Sequence, residues 1–161
     1  MLNFQMEKAY ILTRQETSYF CVPAVLQAVF RRRKIHMSQR DIANRIGCTE
    51  NGTRFEKIPP NFFKSIGLGF CFCYYNETPF NEPDLFIEDA LKEGKDVVMG
   101  YSTVHGLHSV IVSDFADPKV RIIDPADCLK KEENFYKILE EMYRRNDGGF
   151  AAISNLEKRV N

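Results

Sequence analysis

Residues Gln15 to Phe30 read Q-E-T-S-Y-F-C-V-P-A-V-L-Q-A-V-F. A polar, turn-like segment becomes apolar at Cys21. Pro23 suits a first helical turn, where its missing N–H would have no partner. Val22, Val25, Leu26 and Val29 recur at three- and four-residue spacing, the pattern of a helix with one buried face. The spacing predicts a helix from Cys21 to about Lys34, with Cys21 at its N-terminus. The partial positive charge there favours a thiolate and is expected to lower the thiol pKa. Taken alone, Cys21 reads more readily as a small core residue.

Outward from this stretch, the chain of 161 residues is long enough for one domain with its own core, spanning 1–161. Twenty-two basic residues balance twenty-two acidic ones, so no bulk charge argues for nucleic acid or an anionic membrane surface. The one basic run, Arg31 to Lys34, falls at the end of the predicted helix and reads as a solvated helix end. Met1 to Tyr10 carries Glu7 and Lys8 and lacks the apolar core of a signal peptide. No window approaches a membrane span. Five cysteines without a leader fit the reduced cytoplasm, and leaderless export through a specialised secretion system would look the same.

In chain order, Met1 to Arg14 is expected to be partly extended. Ser38 is the expected N-cap of a short helix, Gln39 to Ile46, ended by Gly47. Asn51-Gly52 marks a turn. A further helical piece spans about Asn61 to Ile66. The run F-C-F-C-Y-Y after Gly69 reads as a strand, and Asn81 to Glu93 as a helix ended by Gly94. From Asp96 the character becomes β. D-V-V-M-G-Y is one strand, and H-S-V-I-V-S-D-F and K-V-R-I-I-D form a hairpin across Asp117-Pro118, with Asp114 and Asp117 read as turn residues. Lys131 to Arg145 reads as an amphipathic helix stopped by Asp147-Gly148-Gly149, and F-A-A-I-S as a final strand. Helices first and antiparallel sheet second is an α+β layout.

A nucleophilic cysteine needs a base and a group to orient that base. His36 has polar neighbours and reads as a surface residue. His105 sits in a glycine-containing loop, whereas His108 opens a strand that would hold it rigidly, so His108 is the expected base. The H-x-x-H pair lacks a third ligand nearby and a helix to present it, so no metal is expected. Asp124 ends the strand paired with that of His108. It is placed to accept one ring N–H and leave the other nitrogen for the thiol. The Cys21 backbone N–H and the Gln15 amide, six positions earlier, are the expected oxyanion donors. Cys48, Cys71, Cys73 and Cys128 fit structural roles.

The set Gln15, Cys21, His108 and Asp124 resembles the papain-like cysteine peptidases, in particular the bacteriocin-processing double-glycine peptidase family and its stand-alone relatives. That family has a Gln six residues before a Cys that starts the central helix, a His opening an H-x-V-x-V strand, and an Asp-Pro sixteen residues on. Here Asp124-Pro125 follows His108 by sixteen residues. The run S-Q-R-D-I-A-N-R-I-G…G-T…F-K-S-I-G-L resembles the family's helical region, and the likeness covers about Gln15 to Ser154. Exporter-linked members carry an acidic residue before the Cys and a glycine after it. Phe20 and Val22 stand there instead, and the C-x-P-A form, Cys21 to Ala24, is similar to the stand-alone relatives.

The resemblance implies a papain-like fold with a helical half packed on an antiparallel sheet, and a cleft between the two. It implies a thiol hydrolase in which Cys21 is the nucleophile, His108 the base and acid, Asp124 the orienter and Gln15 the oxyanion donor. No cofactor or metal is implied. The expected partner is a peptide or protein substrate, with loops such as Tyr74 to Phe80 and Tyr101 to Leu107 setting specificity. Glutamine deamidation and acyl transfer use the same apparatus. A competing class reads Ser38 to Arg54 as a DNA-binding helix-turn-helix, against which stand the neutral charge and the acidic Glu50 and Glu56.

Overall fold

The computed structural model describes residues 8–77 and 81–156. The Gln15–Phe30 pattern forms helix α1, Cys21–Arg32, and its residues from Cys21 to Phe30 are all buried. Helix α2, Gln39–Ile46, begins at Ser38, whose side chain accepts from the Asp41 N–H at 3.0 Å, and ends at Gly47 with φ +71°. A 3-10 turn, Phe55–Lys57, and helix α3, Asn61–Ser65, complete the first half. Strand β1 (Leu68–Tyr74), helix α4 (Pro83–Lys92), and strands β2 (Asp96–Thr103), β3 (Gly106–Ala116), β4 (Lys119–Ile123) and β5 (Lys130–Asn134) follow. Helix α5 (Phe135–Arg145) and strand β6 (Gly149–Asn155) close the fold.

All six strands pair antiparallel in the order β1-β6-β2-β3-β4-β5. Alternate residues of each strand serve opposite faces. Val98, Ile111, Ala151 and Ile153 face α1, α2 and α3, joined by Phe30, Ile42 and Phe63. Val97, Met99, Val110, Val112 and Phe150 face α4 and α5, joined by Ile87, Phe135 and Met142. The α+β, papain-like expectation is the architecture observed.

The structure differs from the sequence reading at five places. Lys130–Asn134 is an edge strand, not the start of a helix, and α5 begins only at Phe135, where the Asn134 side chain accepts from the N–H groups of Tyr136 and Lys137. The charged K-K-E-E-N sequence suits an outermost strand, whose free edge is blunted by charge. Asp114 lies within β3 at a register shift, not in the turn. Helix α5 is stopped by Asn146 (φ +50°), so Gly148-Gly149 is not its stop. Among the described residues, the span Ser38 to Arg54 read by the competing helix-turn-helix holds one helix, α2. A Thr49–Gly52 bridge and the 3-10 turn come next, and α2 buries Ile42, Ala43 and Ile46 in the core.

The fifth difference concerns the basic run. Arg32 Nε and Arg33 Nε lie 2.8 and 2.7 Å from the two oxygens of Asp96, a carboxylate with no solvent exposure. The Tyr10 hydroxyl donates to the same carboxylate, and Arg33 also reaches the Ile153 carbonyl at 2.9 Å. These arginines are a latch between α1, the N-terminal segment, β2 and β6, not a solvated helix end.

Candidate active site

The structure brings the four expected residues to one end of the sheet. Gln39, fully buried in α2, accepts from the Glu16 N–H at 2.9 Å and donates to the Arg14 carbonyl at 3.0 Å. This pins the segment that leads into Cys21. The Gln15 N–H donates to the Pro125 carbonyl at 2.9 Å, which ties the same segment to the loop after Asp124.

Phe20 occupies the N-cap of α1 and offers no side-chain cap. The Cys21 thiol lies within electrostatic reach of the Cys21 and Val22 N–H groups and of the hydroxyl and N–H of Ser109, the residue after His108. Burial raises the Cys21 thiol above its ordinary range, and these hydrogen bonds draw it only part of the way back. The expected lowering by the helix N-terminus is therefore outweighed, because Cys21 is only 4% exposed and its charged form is poorly solvated.

Strand β3 begins at Gly106, so His108 is its third residue, and His105 lies exposed in the preceding turn. The His108 ring stands edge-on to Tyr101, its cross-strand partner, with centroids 6.0 Å apart. Its Nε2 lies 3.0 Å from Asp124 Oδ1. The other ring nitrogen, Nδ1, is the one not committed to Asp124.

Asp124 follows the last residue of β4. Its Oδ1 also accepts from the Ala126 N–H at 2.9 Å, and its Oδ2 accepts from Lys131 Nζ at 3.2 Å. Burial alone would raise this carboxyl. The Ala126 N–H, His108 and Lys131 together hold it below its usual range. Lys131 reaches it because β5 pairs Lys131 opposite Ile122, one element of the site that only the unexpected strand supplies.

Gln15 is placed differently from a free oxyanion donor. Its Nε2 donates to the Thr17 carbonyl at 2.8 Å, leaving one amide N–H, and its Oε1 is buried without a partner among the described residues.

Beside His108 and Ser109 lies a groove between the two halves. Thr53 to Glu56 line it from the helical side, and Tyr101, Gly148 and Gly149 from the sheet. Of the loops expected to set specificity, Tyr74, Tyr101 and Leu107 line this groove, whereas residues 78–80 lie outside the described residues. Arg54 spans it with a two-pronged pair to Asp147, at 2.5 and 3.0 Å, and the Ser102 hydroxyl donates to the same carboxylate. Ser109, Arg54 and Asp147 escaped the sequence reading. The only local signal was Ser109, adjoining the expected base on its strand.

No family model matches the sequence, and no curated protein is detectably similar to it. Solved structures are. The peptidase domain of Streptococcus ComA, a bi-functional ABC transporter involved in a quorum-sensing pathway, superposes with a TM-score of 0.65 at 17% identity, covering 91% of this chain and 97% of that one. The chain has the fold of a double-glycine peptidase domain. A double glycine motif protease from an AMS/PCAT transporter, solved with a leader peptide, gives 0.64 at 14% identity over 92% of this chain and 94% of that one. A protein from Bacillus anthracis described as a C39-like peptidase gives 0.64 at 12% identity, over 93% of this chain and all of that one. The fold family suggested by the Gln15–Cys21–His108–Asp124 spacing is the one these neighbours come from. Among the described residues no helix is long and apolar enough to cross a membrane.

Proposed function

We propose that this peptidase fold is a working cysteine peptidase, with Cys21 as nucleophile, His108 as base and acid, Asp124 as orienter and Gln15 as an oxyanion donor, acting on a peptide or protein. The observation that carries this reading is the 3.0 Å contact of His108 Nε2 with Asp124 Oδ1, which leaves Nδ1 uncommitted to the carboxylate, one residue before Ser109, whose hydroxyl favours the Cys21 thiolate.

Asp124 fixes the tautomer with hydrogen on Nε2, so Nδ1 is the basic nitrogen. Because burial keeps Cys21 protonated, His108 takes the thiol proton as the sulfur attacks the scissile carbonyl. The C–S bond forms and the carbonyl electrons move to oxygen. The Cys21 N–H and the uncommitted N–H of Gln15 stabilise that charge. His108 then returns the proton to the leaving nitrogen, the C–N bond breaks and a thioester remains. Water, deprotonated by His108, attacks the thioester, the C–S bond breaks, the proton on His108 returns to the Cys21 sulfur and the acid is freed. Asp124, held ionised, stabilises the imidazolium in both steps.

Peptide hydrolysis by the wild type, Cys21→Ala and His108→Ala tests the assignment. Each variant is expected to lose on the order of a thousandfold or more in kcat while keeping its thermal unfolding midpoint. Hydrolysis that survives either change would sink it.

A further inference from the structure

We propose that Cys71 and Cys73, on strand β1, are a reversible redox site, which a low-molecular-weight disulfide of the glutathione class oxidises to an internal disulfide that strains the strand. Neither side chain lines the groove beside His108, and the site is independent of the peptidase reading.

Three observations carry it. The first is placement. Residues two apart on a strand project to the same face. Cys71 and Cys73 therefore stand side by side on β1, while Phe70 and Phe72 face the other way and pack against the core beneath α1 to α3. All five cysteines are unpaired, and Cys71 is the exposed one. Cys21 lies in that core and Cys48 packs against it, whereas Cys71 and Cys73 belong to neither core cluster of the described residues. Packing gives no reason for a second thiol beside the first. The second observation is proximity. The Cys73 thiol lies within hydrogen-bonding reach of the Cys71 sulfur. Burial first, and then the neighbouring Cys71, pushes the Cys73 thiol up to about 11. The exposed Cys71 is thus the thiol that meets an oxidant from solvent, and Cys73 the one that resolves the adduct.

The third is the strand itself. Cα atoms two apart on a strand are separated by about 6.6 Å, close to the upper end, about 6.8 Å, of what a disulfide spans. Closure therefore puckers the strand. Strand β1 is an edge strand paired with β6 alone, so its free side can give. A strained and exposed disulfide is readily reduced again, the behaviour of a regulatory bridge and not of a structural one. In the reaction the Cys71 thiolate attacks one sulfur of the small disulfide, the small S–S bond breaks and one small thiolate leaves. Cys73 then gives up its proton and attacks the Cys71 sulfur. The internal S–S bond forms, the mixed one breaks and the second small thiolate leaves. Two protein thiols are oxidised, one small disulfide is reduced, and the two protons end on the two small thiols. Strand β6 is placed to feel the pucker. A Cβ on Gly149 would meet the Cys73 carbonyl oxygen and Phe72 Cζ, each at 2.5 Å, so the two strands have no slack there.

The test incubates the native protein with oxidised glutathione, caps the remaining thiols with an alkylating reagent and maps the peptides by mass spectrometry. The expected product is a fragment holding Cys71 and Cys73 that is two hydrogens lighter and not alkylated, and that returns to an alkylatable dithiol in excess reduced glutathione. Cys73→Ser should stop at a glutathione mixed disulfide on Cys71. In Cys71→Ser, Cys73 should be modified about tenfold or more slowly than Cys71 is in the wild type. Amide exchange at Gly149 to Ala151, the partners of Tyr74 to Phe72, should quicken on closure and recover on reduction. A wild-type Cys71 that keeps its glutathione beside a free Cys73 would overturn the site. So would a bridge from either cysteine to Cys48, Cys128 or a second chain, a bridge that excess reduced glutathione leaves intact, or amide exchange equal in the two states. None of these results bears on Cys21, so the peptidase reading stands or falls separately.

Discussion

The two ends of α1 do opposite things with the same helix. At the C-terminal end, Arg32 and Arg33 close on a fully buried Asp96, so these three charges are paired. At the N-terminal end the cap residue is Phe20, which offers no side-chain acceptor, and the first-turn N–H groups of Cys21 and Val22 lie within electrostatic reach of a buried thiol. One end satisfies its charges and ties four segments together. The other withholds satisfaction from the group that must react. A helix anchored at one end can hold a reactive group at the other without collapsing around it.

If that division is right, substitutions at the two ends separate activity from stability. The largest effect is expected for Asp124→Ala, which removes the acceptor that fixes the His108 tautomer. It should lower kcat by roughly a thousandfold to ten-thousandfold, with the urea midpoint nearly unchanged. A matching loss of stability would mean that this end is structural too.

At the other end, Asp96→Ala leaves Arg33 and Tyr10 without their buried partner. It is expected to cost about 3–5 kcal/mol of unfolding free energy, read by urea denaturation. The fraction that remains folded should retain its kcat. A large fall in kcat of that folded fraction would break the comparison by coupling the latch to the chemistry.

A smaller effect belongs to the clamp across the groove. Hydrogen bonds from Arg54, then from Ser102, lower the Asp147 carboxyl below its ordinary value of 3.8. A lowered folded-state pKa adds stability that is complete above 3.8 and is lost as pH falls through the lower, folded value. The Arg54 side chain is 38% exposed, so solvent screening limits the contribution to about 0.5–1 kcal/mol. Asp147→Asn should remove that much of the acid-dependent part of stability, measured by thermal unfolding between pH 5 and pH 2. An unchanged acid profile would show the clamp to be energetically idle.

The anatomy of α1 also shows what can be read from a chain. Its N-terminus, the Ser38 cap and the Gly47 stop were legible because their signals lie within a few residues of one another. His108 and Asp124 were legible because a hairpin turns a sixteen-residue separation into a contact. The Asp96 latch was not, since Arg32 and Arg33 meet it across 64 and 63 residues and look on paper like a solvated basic end. The Arg54–Asp147 clamp spans 93 residues and left no local trace. Strand β5 was misread for a different reason: K-K-E-E-N has helical composition, and only pairing with β4 makes it a strand. Its consequence is functional, because that pairing delivers Lys131 to Asp124. The thiol was misjudged because a helix N-terminus is visible in sequence while the depth of burial is not.

The central claim is that the Cys21 sulfur, relieved of its proton by His108, carries the acyl group. Acid quenching during turnover of a peptide substrate, followed by intact-mass and peptide-mapping spectrometry, reads it directly. The account predicts a thioester adduct of the acyl fragment on Cys21, present in the wild type and absent in His108→Ala. An adduct on Cys48, Cys71, Cys73 or Cys128, or steady turnover by Cys21→Ala, would contradict it.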